Sequence, residues 1–141
     1  LIEGMGLPDL KLKVIIHADG LSRGNPGPAA IGATVKDGKG QLLASVSQQI
    51  GRATNNQAEY RALIAALREA VKLGASEASI YLDSELVVRQ LGGRYRVKNA
   101  TLKTLHNEAK GLLGRLKGFT ITHVPRRQNA EADKLANVAL K

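Results

Sequence analysis

The chain has 141 residues, 43% of them hydrophobic, with no cysteine and a net charge of +9. A chain this long makes one domain with its own core, the missing cysteines exclude disulfides and thiolate metal sites, and no apolar run reaches the roughly 20 residues of a membrane span. The charge is local: from Arg89 to Arg127 ten Lys or Arg stand against Glu108 alone, while the remainder is balanced, which is the footprint of a polyanion partner such as nucleic acid rather than of a merely solvated face.

Residues 1–11 read as an N-terminal extension, part of it ahead of a candidate start at Met5, and lack the long apolar region of a signal peptide. A single domain is expected over residues 12–141. Strand one runs over residues 12–19, with a β-branched run from Val14 to Ile16, and ends on Asp19. Gly24-Asn25-Pro26-Gly27 then turns the chain. Strand two, Pro28 to Lys36, alternates Ile31, Ala33 and Val35; Asp37-Gly38-Lys39-Gly40 signals a hairpin, and Gln41 to Ile50 returns as strand three.

The period then changes to that of a helix. Tyr60, Leu63, Ile64, Leu67, Ala70 and Val71 form its apolar stripe, Thr54, Asn55 or Asn56 can cap its start, and Gly74 suits its end. Glu59 lies at the edge of the stripe. Ala78 to Asp83 is a short strand that again ends on an aspartate. Ser84 to Leu91 is a short helix, and on local grounds Asp83 is either its cap or a functional acid. Gly92-Gly93 breaks the chain before a basic connector, Arg94 to Asn99. Leu102 to Leu116 marks a second long helix with Lys103, Lys110 and Lys117 along one flank. Phe119 to Val124 is the last strand, Pro125 to Gln128 a loop, and Asn129 to Leu140 a final helix with Asp133 in its first turns.

A meander followed by β-α-β crossovers is an α/β arrangement: a mixed five-stranded sheet, three strands antiparallel and then two parallel, with helices on both faces. Such sheets bind ligands at the carboxyl ends of their parallel strands, where Asp19 and Asp83 are expected. Asp19, Glu59, Asp83 and Asp133 occupy places that a fold can bring together. Clustered carboxylates repel, and a chain tolerates them when they bind divalent cations. Oxygen-only donors favour Mg²⁺ or Mn²⁺, and two such ions suit phosphodiester hydrolysis.

Five motifs now stand in order: DGLSRGNPGPA at Asp19–Ala29, TNNQAEY at Thr54–Tyr60, YLDSELVVRQL at Tyr81–Leu91, VKN at Val97–Asn99, and NAEADKLA at Asn129–Ala136. On these, from about Val14 to Leu140, the sequence resembles the type 1 ribonucleases H, in a short form lacking their basic protrusion. The resemblance implies a ribonuclease H-like fold. It also implies an endonuclease that hydrolyses the RNA strand of RNA–DNA hybrids by two-metal-ion catalysis, leaving 5′-phosphate and 3′-hydroxyl ends. Asp19, Glu59, Asp83 and Asp133 match the carboxylates that hold two Mg²⁺ or Mn²⁺ ions. Asn25 and Asn55 match minor-groove contacts and Thr54 a DNA-phosphate contact. Gly20 and Asn99 join the nucleic-acid-binding set, with Arg94, Arg96 and Lys98 as a reduced basic strip.

Two further departures from the family pattern matter. Glu85 stands where a Gln often follows the Asp-Ser pair, and the loop before Asp133 lacks the His that assists turnover in many members. Arg126 in that loop is the expected substitute as a catalytic group. His123 reads as structural, and His17 and His106 are weaker candidates still. The implied protein is a cytoplasmic monomer with a hybrid substrate and no membrane or obligate protein partner. The main alternative is a non-catalytic hybrid-binding module of the same fold. A transposase or junction resolvase, and a purely structural basic protein, fit the GNPG and TNN segments and the four acids less well.

Overall fold

In the computed structural model, residues 11–141 are described; the expected extension over residues 1–11 lies outside them apart from Lys11. Alternation builds the first sheet unit. β1 (Leu12–Ser22), β2 (Gly27–Asp37) and β3 (Leu42–Ala53) form an antiparallel meander. Val14, Ile16 and Ala18 on β1, with Ile31, Ala33 and Val35 on β2, are buried. The β2–β3 turn is held by Asp37, whose Oδ1 accepts from the N–H groups of Lys39 and Gln41, both at 2.9 Å.

Helix α1 (Asn55–Lys72) follows. Of its three possible caps, Thr54 is the one used. Its hydroxyl accepts from Gln57 N at 3.1 Å, and the Gln57 side chain accepts from Thr54 N at 2.9 Å, so two orphan donors are satisfied reciprocally. Tyr60, Leu63, Ile64, Leu67 and Ala70 are buried against the sheet; truncating a leucine here to alanine costs on the order of 2–5 kcal/mol.

β4 (Ala75–Leu82), α2 (Glu85–Leu91), α3 (Ala100–Leu113), β5 (Gly118–His123), a 3₁₀ turn at Arg126–Asn129 and α4 (Ala130–Leu140) complete the described chain. β4 lies parallel to β1, and β5 parallel to β4. The strand order is β3-β2-β1-β4-β5, the mixed five-stranded sheet expected. α1 packs on one face, with α3 against it. α4 packs on the other, over Gly32: a Cβ there would fall 2.2 Å from Ala132 O. Among the described residues no helix is long and apolar enough to cross a membrane.

One boundary matters for the site. β1 does not end on Asp19 but continues to Ser22, because β2 keeps pairing with it, from Asp19 with Gly32 to Ser22 with Ala29. The pairing with β4 stops at Ala18 and Leu82. Asp19 is thus the first β1 residue without a β4 neighbour, and the sheet opens there.

Candidate active site

Three elements deliver three carboxylates to that opening. Asp19 comes from β1. Asp83 follows the last residue of β4 and is not the cap of α2: Ser84 takes that role, its hydroxyl accepting from Val87 N at 3.3 Å. Glu59 comes from α1, which lies against β1 because residue 20 is glycine. A Cβ on Gly20 would sit 2.1 Å from the carbonyl of Ala58. Glu59 Oε1 also accepts from Gly20 N at 2.6 Å. Asp19, Glu59 and Asp83 each offer an oxygen, and the three atoms lie within 4.8 Å of one another. Asp133, in the first turns of α4, stands beside this set without entering it; its carboxylate bears on both Asp19 and Asp83.

The electrostatics follow from the crowding. Burial, then the hydrogen bond and charge of Glu59, push the Asp19 carboxyl up to about 10. Burial raises Glu59 to about 7, against hydrogen bonds from Asp19 and Gly20 N. Burial raises Asp83 as well, opposed first by the Arg126 guanidinium. Burial and the neighbouring carboxylates therefore favour the protonated form of Asp19. Its Oδ2 is nevertheless buried with no hydrogen-bond partner. A buried oxygen without a partner is costly, and an oxygen-liganding cation removes that cost.

Beside the acids, the turn after β1 is locked to the start of α1. Asn55 N donates to Asn25 Oδ1 at 3.0 Å, and Ser22 N donates to Asn55 Oδ1 at 3.1 Å. The Ser22 hydroxyl donates to Ala53 O at 2.8 Å. Arg94, Arg96 and Lys98 are exposed on the connector between α2 and α3. Asn99 caps α3, its Oδ1 accepting from Leu102 N at 3.0 Å.

Gly20 is buried under α1 with its N–H given to Glu59, where its smallness admits the helix. The structural reading of His123 needs correction. His123 is exposed at the end of β5, so it packs no core. Of the other histidines, His17 stacks on Tyr81 with centroids 5.1 Å apart, and His106 meets the Tyr60 hydroxyl at 3.3 Å.

Asn129 was visible in the sequence only as a helix start. It is 1% exposed, and its Nδ2 donates to Ala18 O at 2.9 Å, pinning the start of α4 to β1 next to Asp19. Tyr60, adjacent to Glu59, donates its hydroxyl to buried Gln90 at 2.5 Å, tying α1 to α2. Neither link has a local signal, since their partners lie 111 and 30 residues away.

Residues 17–139 match the protein family described as reverse transcriptase-like. The chain is 47% identical over 133 residues to ribonuclease HI of Halobacterium salinarum, covering 94% of this chain and 67% of that protein. The chain belongs to the ribonuclease H family. It is also 52% identical over 130 residues to the bifunctional protein Rv2228c of Mycobacterium tuberculosis, covering 92% of this chain but only 36% of that longer protein. The solved N-terminal RNase H domain of Rv2228c superposes with a TM-score of 0.90, covering 92% of this chain and 99% of that one. LC11-RNase H1, solved in complex with an RNA/DNA hybrid, is 42% identical with a TM-score of 0.85, covering 90% and 96%. Residues 92–99 join α2 directly to α3, with no helix between them, in keeping with the short form that the resemblance implies.

Proposed function

We propose that this protein is an endonuclease that hydrolyses the RNA strand of RNA–DNA hybrids in a divalent-metal-dependent reaction, leaving 5′-phosphate and 3′-hydroxyl ends. The observation that carries the reading is the carboxylate set, three acids within 4.8 Å with a buried, partnerless oxygen on Asp19. The names of the relatives, and the hybrid bound to LC11-RNase H1, support it.

Asp19, Glu59 and Asp83, with Asp133 at their side, would hold two Mg²⁺ or Mn²⁺ ions, as the all-oxygen donor set suits. Bound there, such ions supply an activated water and stabilise charge on the leaving oxygen. The chain's own residues do the rest. The Gly20 N–H fixes Glu59. Arg126 lies near enough for its charge to lower Glu59 and Asp83. A guanidinium stays charged at working pH, so Arg126 moves no proton; it holds a phosphate oxygen and stabilises charge developing there.

Substrate discrimination follows from which atoms remain free. Asn25 and Asn55 have each committed the side-chain oxygen to a backbone N–H. Their amide N–H groups remain as donors, suited to the acceptors and 2′-hydroxyls along the wide minor groove of an A-like hybrid. The Thr54 hydroxyl accepts from Gln57 N and keeps its own proton for a phosphate oxygen. Asn99 likewise keeps its amide N–H groups, and Arg94, Arg96 and Lys98 grip the backbone.

The test is a substrate panel: hybrid, duplex DNA and duplex RNA, each labelled on one strand, with analysis of product ends. Preferential cutting of the RNA strand of the hybrid is expected. Hybrid binding with no cleavage under any metal condition would favour the non-catalytic module instead.

A further inference from the structure

The face of β5 turned toward α2 is open. Phe119, Ile121 and His123 pair in register with Ala78, Ile80 and Leu82 of β4 and share their face. The three β4 residues are buried, yet Phe119 is 46% exposed. Between β5 and α2 runs a groove of about 470 Å³. Val88, Leu91 and Ile121 line it with apolar surface, and Arg89 and Arg94 line it with positive charge. None of its described lining residues is acidic. Arg89 is fixed in place: its Nε donates to Glu85 Oε2 at 2.7 Å, and its guanidinium carbon lies 5.3 Å from the centre of the Tyr95 ring.

This combination has a specific chemical complement. An exposed aromatic ring and an imidazole on one strand face accept the flat faces of bases, and guanidinium groups beside them accept phosphates. A duplex cannot use such platforms, because its base faces are already stacked on one another. An unpaired strand can. Phe119 and His123 stand four residues apart, ~13 Å along an extended strand, so each serves a separate base. The groove also starts at the right place. His123 pairs with Leu82, the residue before Asp83, so a strand leaving the carboxylate site enters it directly.

We propose that the groove between α2 and β5 binds unpaired nucleotides continuing from one strand of the substrate, with Phe119 and His123 as base platforms and Arg89 and Arg94 as phosphate partners. This subsite rests on the hybrid reading above and extends it to junctions between hybrid and single strand. Nothing in its lining selects ribose over deoxyribose, so unpaired RNA and unpaired DNA share the required chemistry.

The experiment compares affinities by fluorescence anisotropy in chelator, where nothing is cut. The probes are one blunt hybrid and four derivatives with a short 5′ or 3′ overhang on the RNA or the DNA strand. At least one overhang should tighten binding ~10-fold over blunt, the worth of about one stacked base, and the four arms identify the strand and polarity. Phe119→Ala should reduce that gain below ~2-fold; Phe119→Trp, which keeps a platform on an exposed position, should retain it. If no overhang improves on the blunt hybrid, or if the gain survives Phe119→Ala, the proposal is overturned. Blunt hybrid that is bound and, with Mg²⁺, cut, but without any overhang gain, overturns this proposal alone. Failure to bind blunt hybrid overturns the parent reading and this one together.

Discussion

Replacing Asp19 by Asn should stabilise the metal-free protein at neutral pH while removing a residue proposed for catalysis. Asp19 is 3% exposed, and its carboxyl is pushed from an ordinary 3.8 up to about 10. At pH 7 the folded chain therefore keeps a proton that the unfolded chain releases. The native state binds more protons, so this group's contribution is full below about pH 4 and is lost progressively as pH rises toward 10. At ~1.4 kcal/mol per pH unit, the loss between 3.8 and 7 is about 4 kcal/mol. Asparagine has the same shape, needs no proton, and its amide still donates toward Glu59. The variant should gain ~2–4 kcal/mol at pH 7, or ~5–10 °C in melting temperature, and almost nothing near pH 4. Chemical and thermal denaturation in chelator across that pH range would measure it. A variant no more stable than wild type at pH 7, or a gain that does not shrink with falling pH, would mean that the fold does not hold Asp19 protonated. Mg²⁺ should stabilise the wild type and narrow the difference.

Arg126→Ala should lower the maximal rate ~10-fold or more with a smaller effect on binding, and Arg127→Ala much less; steady-state kinetics on hybrid separate the two, and equal effects would remove the special role of Arg126. Charge-removing changes at Arg94, Arg96 and Lys98 together should weaken hybrid binding and reduce the logarithmic salt slope by up to ~3; an unchanged slope would place the backbone elsewhere. Thr34→Val should raise stability by about 1 kcal/mol, since the Thr34 hydroxyl is buried without a partner, and a loss on denaturant titration would contradict that. His123→Ala should shift stability by less than ~0.5 kcal/mol, as its exposure requires; a larger loss would restore it to a structural role.

What the sequence showed, and what it hid, divides along chain separation. Strand alternation and the Tyr60–Ala70 stripe are local signals, and the elements formed where they pointed. The end of β1 was misplaced because its continuation depends on β2, which pairs from a different segment. Glu59 was visible at the edge of a stripe, but its bond to Gly20 crosses 39 residues and had no local trace. The close approach of Ala58 to Gly20 likewise leaves no local trace. His123 reads as structural from its place on a strand, and the structure leaves it exposed at the end of β5. Asp83 reads equally as a cap or a functional acid on local grounds, and the hydroxyl geometry gives the cap to Ser84.

Metal-dependent catalysis at the carboxylates is tested by cleavage of a hybrid labelled on its RNA strand, in chelator and with added Mg²⁺ or Mn²⁺, by wild type and by Asp19→Asn. No cleavage is expected in chelator, with restoration by either ion, and a loss of several orders of magnitude in the variant with hybrid binding largely kept. Substantial cleavage in chelator, or an Asp19→Asn enzyme of near wild-type rate, would contradict metal-dependent catalysis at the carboxylates.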